Sequence, residues 1–149
     1  MFEDSNVDIG DNLMSPFVNM IDYATKNGIE LGTIDKISIS ESDAIVFVDC
    51  PNIKNPFFLE AINSKKPIYL IIFEPPMVQP ESHDLANHAY FNHIFTWSDE
   101  LILRDPNKYT KINFSHDIPN NIDKNLHGRD KLLCMISGNK KISFKHIEF

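Results

Sequence analysis

Residues 68–76 of this 149-residue chain read IYLIIFEPP, an apolar and aromatic run that ends at Glu74 and two prolines. A second run of the same kind, Ala44–Val48, ends at Asp49. Continuous runs of this length, rich in β-branched and aromatic residues and bounded by turn residues, are typical of strands in a parallel sheet. We therefore predict two central strands, at Ala44–Val48 and Ile68–Phe73, each buried on both faces.

Helical patterns alternate with further strand patterns along the rest of the chain. In order, we predict a helix that begins with Ser15 as its N-cap and ends at Asn27-Gly28, a strand at Ile29–Ile34, a helix from Asn55-Pro56, a helix from His83 to Tyr90 with Ser82 as its cap, strands at His93–Trp97 and Thr110–Phe114, and an apolar run at Lys131–Ile136. This alternation indicates an α/β fold, with an open, mostly parallel, Rossmann-like sheet and helices on both faces. Residues 117–130 are polar and rich in Asn, so we predict one domain over residues 1–130. Residues 131–149 are then either the start of a second, truncated lobe or a terminal element packed on the first.

The composition excludes several classes of protein. Fourteen basic and twenty-one acidic residues give a net charge of −7 and a pI near 5.2. This balance argues against binding to nucleic acid or to an anionic membrane, since both require a basic surface. Cys50 and Cys134 lie in or beside apolar runs, where a thiol acts as a small hydrophobic group rather than as part of a disulfide framework. With no leader-like or membrane-spanning pattern at hand, we predict a soluble cytoplasmic protein.

The candidate chemistry lies where the two central strands end. Ligands of open parallel sheets bind beyond the carboxyl ends of the strands, where Asp49 and Glu74 are found. Partial desolvation there raises the pKa of a carboxyl group, which makes Glu74 a candidate general base. The alternative is that Glu74 caps a neighbouring helix or faces water. His83 and His88 follow closely and either line the same crevice or lie at the surface.

Other familiar sites are missing from the sequence. There is no glycine-rich phosphate-binding loop, no Gly-x-Ser-x-Gly motif, and no pair of histidines at the spacing that zinc ligands favour. We therefore expect neither a cofactor nor a metal. The segment Ser137–Lys141, after the last apolar run, can bind a phosphate or form a simple turn.

Three segments, in order, resemble the α-1,3-fucosyltransferase family. The first is Ile71–Pro76, a strand that ends in a glutamate. The second is Tyr90–Ser98, YFNHIFTWS, which is similar to a family segment with the pattern fD-x-x-f-T-W-s. The third is Lys131–Lys140, KLLCMISGNK, which is similar to the start of the family's donor-binding lobe. Members of this family are inverting glycosyltransferases of the GT-B type, built from two Rossmann-like lobes.

The resemblance implies a role for this chain and for particular residues. It implies an acceptor-side lobe in which Glu74 removes the proton from the attacking glycan hydroxyl, while basic residues of a second lobe stabilise the departing diphosphate of a nucleotide sugar such as GDP-fucose. The donor motif would lie beyond Ile142, so we expect the 149-residue chain to be inactive alone. The further residues implied are Asp49, His83, His88 and Trp97 for the acceptor, and Asn139 and Lys140 for the donor.

Two other functions remain open at this point. The first is a non-catalytic, Rossmann-like binding or interaction module. An interaction module, like a lobe that packs on a partner, is expected to expose an apolar patch, and self-association of the chain would cover that patch. The second, less well supported, is a phosphate-transfer receiver domain. That fold needs an acidic pair at the first strand, and no apolar strand precedes Glu3-Asp4.

Overall fold

The computed structural model describes residues 14–113 and Gly128. The described elements are, in chain order, α1 (Ser15–Lys26), β1 (Ile45–Val48), α2 (Pro56–Ser64), β2 (Ile68–Ile71), two 3-10 helices (Pro80–His83 and Asn87–Tyr90), β3 (His93–Thr96), α3 (Asp99–Arg104) and β4 (Tyr109–Lys111). The chain divides into two compact units, Met1–Asp117 and Ile118–Phe149, and all of these elements belong to the first. The predicted domain boundary after residue 130 and the apolar run at Lys131–Ile136 lie outside the described residues and stay predictions.

The four strands form one parallel sheet in the order β1-β2-β3-β4. Ile45 lies opposite Ile68, Leu70 opposite Ile94, and Ile94 opposite Tyr109. The predicted open, parallel α/β fold is thus confirmed. Because crossover connections between parallel strands are right-handed, strands that follow one another in this order carry their connecting segments on the same face of the sheet.

One face of the sheet, which we call the covered face, packs under those connections. Its side chains are Ile45, Phe47, Ile68, Leu70, Ile94, Thr96 and Tyr109. Phe58 of α2 and Phe91, which precedes β3, lie on it with their rings stacked at 5.7 Å. Leu101 and Ile102 of α3 pack against the same core.

The opposite face, which we call the open face, is only partly covered. Its side chains are Val46, Val48, Tyr69, Ile71, His93, Phe95 and Thr110. Val46 is 48% exposed and Val48 is 44% exposed. The prediction that the two central strands are buried on both faces is therefore wrong, since all three connections between strands lie over the covered face. Met20 of α1 joins Val46, Tyr69, Ile71, Phe95 and Ile112 around an apolar cavity of about 350 Å³.

The first two predicted elements differ from the structure in detail. Helix α1 is confirmed, but Met14 is its N-cap and Ser15 is its first helical residue, with no side-chain capping bond. The segment Ile29–Ile34 is not a strand, because its backbone groups are used locally. The Ile29 amide donates to the Ala24 carbonyl at the C-terminal end of α1, and the Thr33 carbonyl accepts from the amides of Lys36 and Ile37 in the turn that follows.

Helix α2 is confirmed, and its N-cap is Asn55, whose side chain accepts from the amides of Phe57 and Phe58. The predicted helix from His83 to Tyr90 is replaced by the two short 3-10 helices. Asp84 is extended between them and its carboxylate accepts from the Ala86 amide, which ends the first turn. The Ser82 side chain does not cap a helix; its bonds go to the end of β1.

The last described strands lie where they were predicted, with ends that differ by one to three residues. Strand β3 ends at Thr96 rather than Trp97, and β4 spans Tyr109–Lys111 in place of Thr110–Phe114, of which Phe114 lies outside the described residues. Helix α3 was not predicted. Its N-cap, Ser98, accepts from the Leu101 amide, and two acidic residues occupy its first turn.

Candidate functional site

The carboxyl ends of β1, β2 and β3 bring three of the predicted residues to one edge of the sheet. Asp49 follows β1, Glu74 follows β2 after a short extension, and Trp97 follows β3. The strands are parallel and adjacent, so these positions lie in a row. Between β2 and β3, the first 3-10 helix adds His83. The edge is therefore the place where the predicted acceptor-side residues can meet.

Asp49 ties the end of β1 to the segment Phe73-Glu74, which we call the Glu74 segment. Its Oδ1 accepts from the amides of Phe73 at 3.0 Å and Glu74 at 3.2 Å, and from the Ser82 hydroxyl at 3.2 Å. The backbone of Asp49 is left-handed, with φ of 57°. Aspartate is one of the few residues other than glycine that adopts this conformation without a large steric cost. The conformation turns the carboxylate away from β1 and towards β2.

Two ring nitrogens hold the carbonyl groups of the same segment. Trp97 Nε1 donates to the Phe73 carbonyl at 3.1 Å. His83 Nε2 lies 2.8 Å from the Glu74 carbonyl and donates to it, because a carbonyl oxygen can only accept. The two rings are neighbours, with centroids 6.0 Å apart. Phe73 and Glu74 are thus each held at the backbone amide by Asp49 and at the backbone carbonyl by one of these rings.

The carboxylate of Glu74 itself is exposed. It makes no hydrogen bond or ion pair with any residue in the part of the chain that the structure describes. The partial desolvation predicted for it is wrong, and the alternative in which it faces water is what the structure shows. The reason is that β2 ends at Ile71, so Glu74 lies three residues beyond the sheet, and the residues that follow it, Pro75 to Val78, are exposed as well.

His88 occupies neither of its predicted positions, the crevice or the surface. It is 3% exposed. Its Nδ1 lies 2.8 Å from the Tyr109 hydroxyl and its Nε2 lies 2.9 Å from the Ser82 carbonyl. Burial lowers the pKa of His88 below its ordinary value, although the bond to the Ser82 carbonyl acts in the other direction. His88 is a buried structural histidine, and it does not reach a ligand at the edge of the sheet.

Cys50 is fully buried next to the loop between β2 and β3, which contains Gln79 and Ser82. Burial, with a smaller contribution from nearby acidic side chains, raises the pKa of its thiol to about 11, which makes it a poor nucleophile. Its backbone amide donates to Ser82 Oγ at 2.8 Å, and its carbonyl accepts from Gln79 Nε2 at 2.6 Å. Gln79 and Ser82 were not among the predicted site residues. A serine and a glutamine in a proline-containing loop give no periodic signal that would single them out.

Two cavities adjoin this edge. One, of about 420 Å³, is lined by Ile72, Phe73, Trp97, Ile112 and Asn113. The other, of about 620 Å³, is a groove along the outer edge of β1, and the segment 30–34 forms its far wall. The groove reaches Asp49 and Gln79 at one end. Ile29–Ile34, predicted as a strand, therefore lines a groove beside β1 and does not pair with it.

Asn139 and Lys140 lie outside the described residues. Within residues 14–113 and at Gly128, no group of three or more His, Cys, Asp or Glu side chains could hold a metal ion. In the same part of the chain, no helix has the length and apolar character needed to cross a membrane.

Comparison of the whole chain with protein-family models, with curated proteins and with solved structures finds no match in any of the three. A functional assignment must therefore depend on the residues of this chain and on their geometry.

Proposed function

We propose that this chain is the acceptor-side lobe of an inverting glycosyltransferase similar to the α-1,3-fucosyltransferases, with Glu74 as the general base. One observation carries the proposal. Asp49, His83 and Trp97 bond the backbone on both sides of the Glu74 segment, while the Glu74 carboxylate is left exposed at the carboxyl edge of a parallel sheet. A general base needs a defined position before it needs a shifted pKa, and this arrangement fixes the backbone from which Glu74 projects.

In the proposed reaction, the carboxylate of Glu74 accepts the proton of an acceptor hydroxyl. The hydroxyl oxygen forms a bond to the anomeric carbon of the donor sugar, and the bond to the diphosphate breaks with its electron pair going to the leaving oxygen. Attack opposite the leaving group inverts the configuration through an oxocarbenium-like transition state. The proton removed by Glu74 balances the step, so one carboxylate on the acceptor side is sufficient.

Trp97 supports an acceptor site beside Glu74. Its ring is 40% exposed and forms one wall of the cavity of about 420 Å³. Aromatic side chains with a polar handle suit ligands that have both apolar and hydroxylated faces, as sugar rings do. In this proposal the glycan acceptor lies against Trp97, and the donor, a nucleotide sugar such as GDP-fucose, is held by a second lobe, with Asn139 and Lys140 at its start.

Turnover tests the role of Glu74. In the two-lobe enzyme that carries this chain, we expect Glu74→Gln to lower fucose transfer from GDP-fucose by about a hundredfold, because the amide cannot accept the proton. Glu60→Gln, an exposed glutamate on α2 away from the edge, is the matched control and should leave turnover unchanged. Wild-type turnover in the Glu74 variant would remove this residue from the mechanism.

Calorimetry tests the placement of the donor. We expect the 149-residue chain alone to bind GDP-fucose only weakly, because the groups that hold the diphosphate are assigned to the second lobe. Binding in the low micromolar range would contradict that assignment.

The open face of the sheet favours a second candidate, a non-catalytic interaction module. Val46 and Val48 are large apolar side chains that stay nearly half exposed, next to the apolar cavity around Met20 and Phe95. A contiguous apolar surface of this kind is typical of a face that packs on a partner. Light scattering on the purified chain, taken together with the turnover test of Glu74, separates the two candidates. If the chain is strictly monomeric and Glu74→Gln lowers turnover in the two-lobe enzyme, the interaction module has no support.

A further inference from the structure

We propose that Ser82, His88 and Tyr109 are positioning residues for Glu74, connected to it through Asp49. The proposal rests on the function assigned to Glu74 above. We call these three residues together with Asp49 the relay. None of the three contacts the Glu74 side chain, so each would act only by fixing the backbone from which Glu74 projects.

The first link joins β4 to the loop that follows β2. His88 Nε2 must donate to the Ser82 carbonyl, since that oxygen can only accept. In the neutral ring Nδ1 then has a free lone pair, which accepts the proton of the Tyr109 hydroxyl at 2.8 Å. The direction of both hydrogen bonds is thereby determined, and the tautomer of His88 with it.

The second link joins that loop to the end of β1. Ser82 Oγ accepts from the Cys50 amide at 2.8 Å, so its own proton is available to donate to Asp49 Oδ1 at 3.2 Å. The same Asp49 oxygen accepts from the amides of Phe73 and Glu74. Two sets of hydrogen bonds, joined through the covalent structure of Ser82, therefore connect Tyr109 to the backbone of Glu74.

Burial gives the relay its stiffness. Ser82 is fully buried, His88 is 3% exposed and Tyr109 is 5% exposed. Within the described part of the chain, no buried side-chain nitrogen or oxygen lacks a hydrogen-bond partner. Water cannot easily replace a missing partner at such depth, so the loss of one link leaves a buried polar group unsatisfied. The loop can recover a partner only by moving.

A purely space-filling role would not require this pattern. An apolar side chain at position 88 could fill the same volume under the loop, but it could not accept from Tyr109 and donate to Ser82 at once. Likewise, Asp49 Oδ1 accepts from the Ser82 hydroxyl as well as from the two amides that it holds, which an apolar side chain at position 82 could not provide. The geometry points to orientation of Asp49, and through it of Glu74, as the task of the buried polar groups.

Amide hydrogen exchange on the 149-residue chain tests the relay without any assay of activity. We expect His88→Ala to speed exchange at the Phe73 and Glu74 amides by about tenfold relative to amides in the centre of β2, the size that the loss of about one hydrogen bond gives. His88→Gln, which keeps a donor and an acceptor in the side chain, should restore most of the protection. Ile94→Ala is the control: it opens the same core but removes no hydrogen bond, and it should speed exchange evenly over the sheet.

The outcomes are decisive in both directions. Exchange that rises evenly in His88→Ala, as in Ile94→Ala, would overturn the proposal, and so would an unchanged rate at the Glu74 segment. If His88→Ala does not fold, Tyr109→Phe removes a single hydroxyl and should give the same local pattern more weakly; an even or absent change there also overturns the proposal.

Turnover separates this proposal from the one on which it rests. In the two-lobe enzyme, Tyr109→Phe should lower kcat with little change in KM, because it displaces the base and leaves the acceptor surface at Trp97 intact. If Glu74→Gln leaves turnover unchanged while the local exchange pattern is found, the assignment of Glu74 fails and the relay remains as a positioning device for the segment. If Glu74→Gln lowers turnover but the exchange pattern is absent, the relay fails and Glu74 stands.

Discussion

The two faces of the sheet are built from the same kinds of side chain but have very different surroundings. On the covered face, Leu70 and Ile94 are completely buried under α2 and the segments that follow it. On the open face, Val46 and Val48 remain nearly half exposed. Within β1 itself, Ile45 and Phe47 on the covered face are half-buried, whereas Val46 and Val48 on the open face are exposed, so alternate residues of one strand differ in burial. The order of the strands, with each connection returning over the same side, decides which face is filled.

The buried polar groups follow the same division. The relay lies on the side of the covered face, because Tyr109 pairs with Ile94 of the neighbouring strand and the side chains of both belong to that face. Its members satisfy one another and hold the Glu74 segment. On the open face, the polar pair His93 and Thr110 joins neighbouring strands with a hydrogen bond of 2.8 Å. One side of the sheet therefore positions the candidate site, and the other presents an apolar surface.

The largest expected effect comes from breaking the covered face. We expect Leu70→Ala to lower the free energy of unfolding by about 2–5 kcal/mol, because it leaves a cavity among fully buried side chains. Ile71→Ala removes a similar aliphatic group from the next residue, which is half-buried on the open face, and should cost roughly half as much or less. Urea denaturation of both variants measures the difference. Equal losses would mean that the open face is as well covered in solution as the other.

The strands were predictable because their signals are local. The runs at Ala44–Val48 and Ile68–Phe73 and the Asn55-Pro56 cap need no tertiary information. Burial on both faces was not predictable in this way, since Ala44–Val48 is apolar at every position although only alternate residues face the core. An apolar run shows that a strand can be buried on both sides, but the strand order decides whether it is.

The candidate site was predictable to a similar degree. Asp49 and Glu74 could be placed at one edge because each follows a recognisable strand, whereas Trp97 was implied only by the family resemblance. Their roles could not be read from the sequence: Asp49 and Trp97 bond the backbone of the Glu74 segment, and His88 is buried. Hydrogen bonds between residues more than twenty positions apart, such as those from the Glu74 segment to Asp49, leave no pattern in the local sequence.

A smaller loss of unfolding free energy should appear at acidic pH, because the buried His88 on the covered side resists protonation. Burial lowers the pKa of His88 in the folded state, although its bond to Ser82 and the charge of Asp84 oppose this, while His83 and Lys108 add to it. An unfolded histidine titrates near pH 6.5, so between that pH and the lower folded pKa the unfolded chain binds more protons. Stability is therefore fully present above about pH 6.5 and falls below it, by at most about 1.4 kcal/mol per pH unit from this one group.

Chemical denaturation at several pH values between 7 and 5 measures this loss. His88→Gln should remove the contribution of His88 to the slope of the unfolding free energy against pH. The same substitution at His93, on the open face, is the control and should leave that contribution in place. A slope that is unchanged in His88→Gln would show that His88 does not resist protonation, and would weaken the contrast between the two sides.

The smallest expected effect tests the open face directly. Val46→Thr keeps the β-branched shape and replaces one methyl group with a hydroxyl at a position that is 48% exposed, so water can hydrate the new group. We expect the free energy of unfolding to change by no more than about 0.5 kcal/mol, as for most exposed substitutions. Phe47→Thr, one residue along and on the covered face, should be strongly destabilising, since the Phe47 ring packs edge-on against Phe58 at 5.3 Å. A loss of several kcal/mol in Val46→Thr would show that something covers this face in solution, and light scattering on that variant would then tell whether the cover is a second copy of the chain.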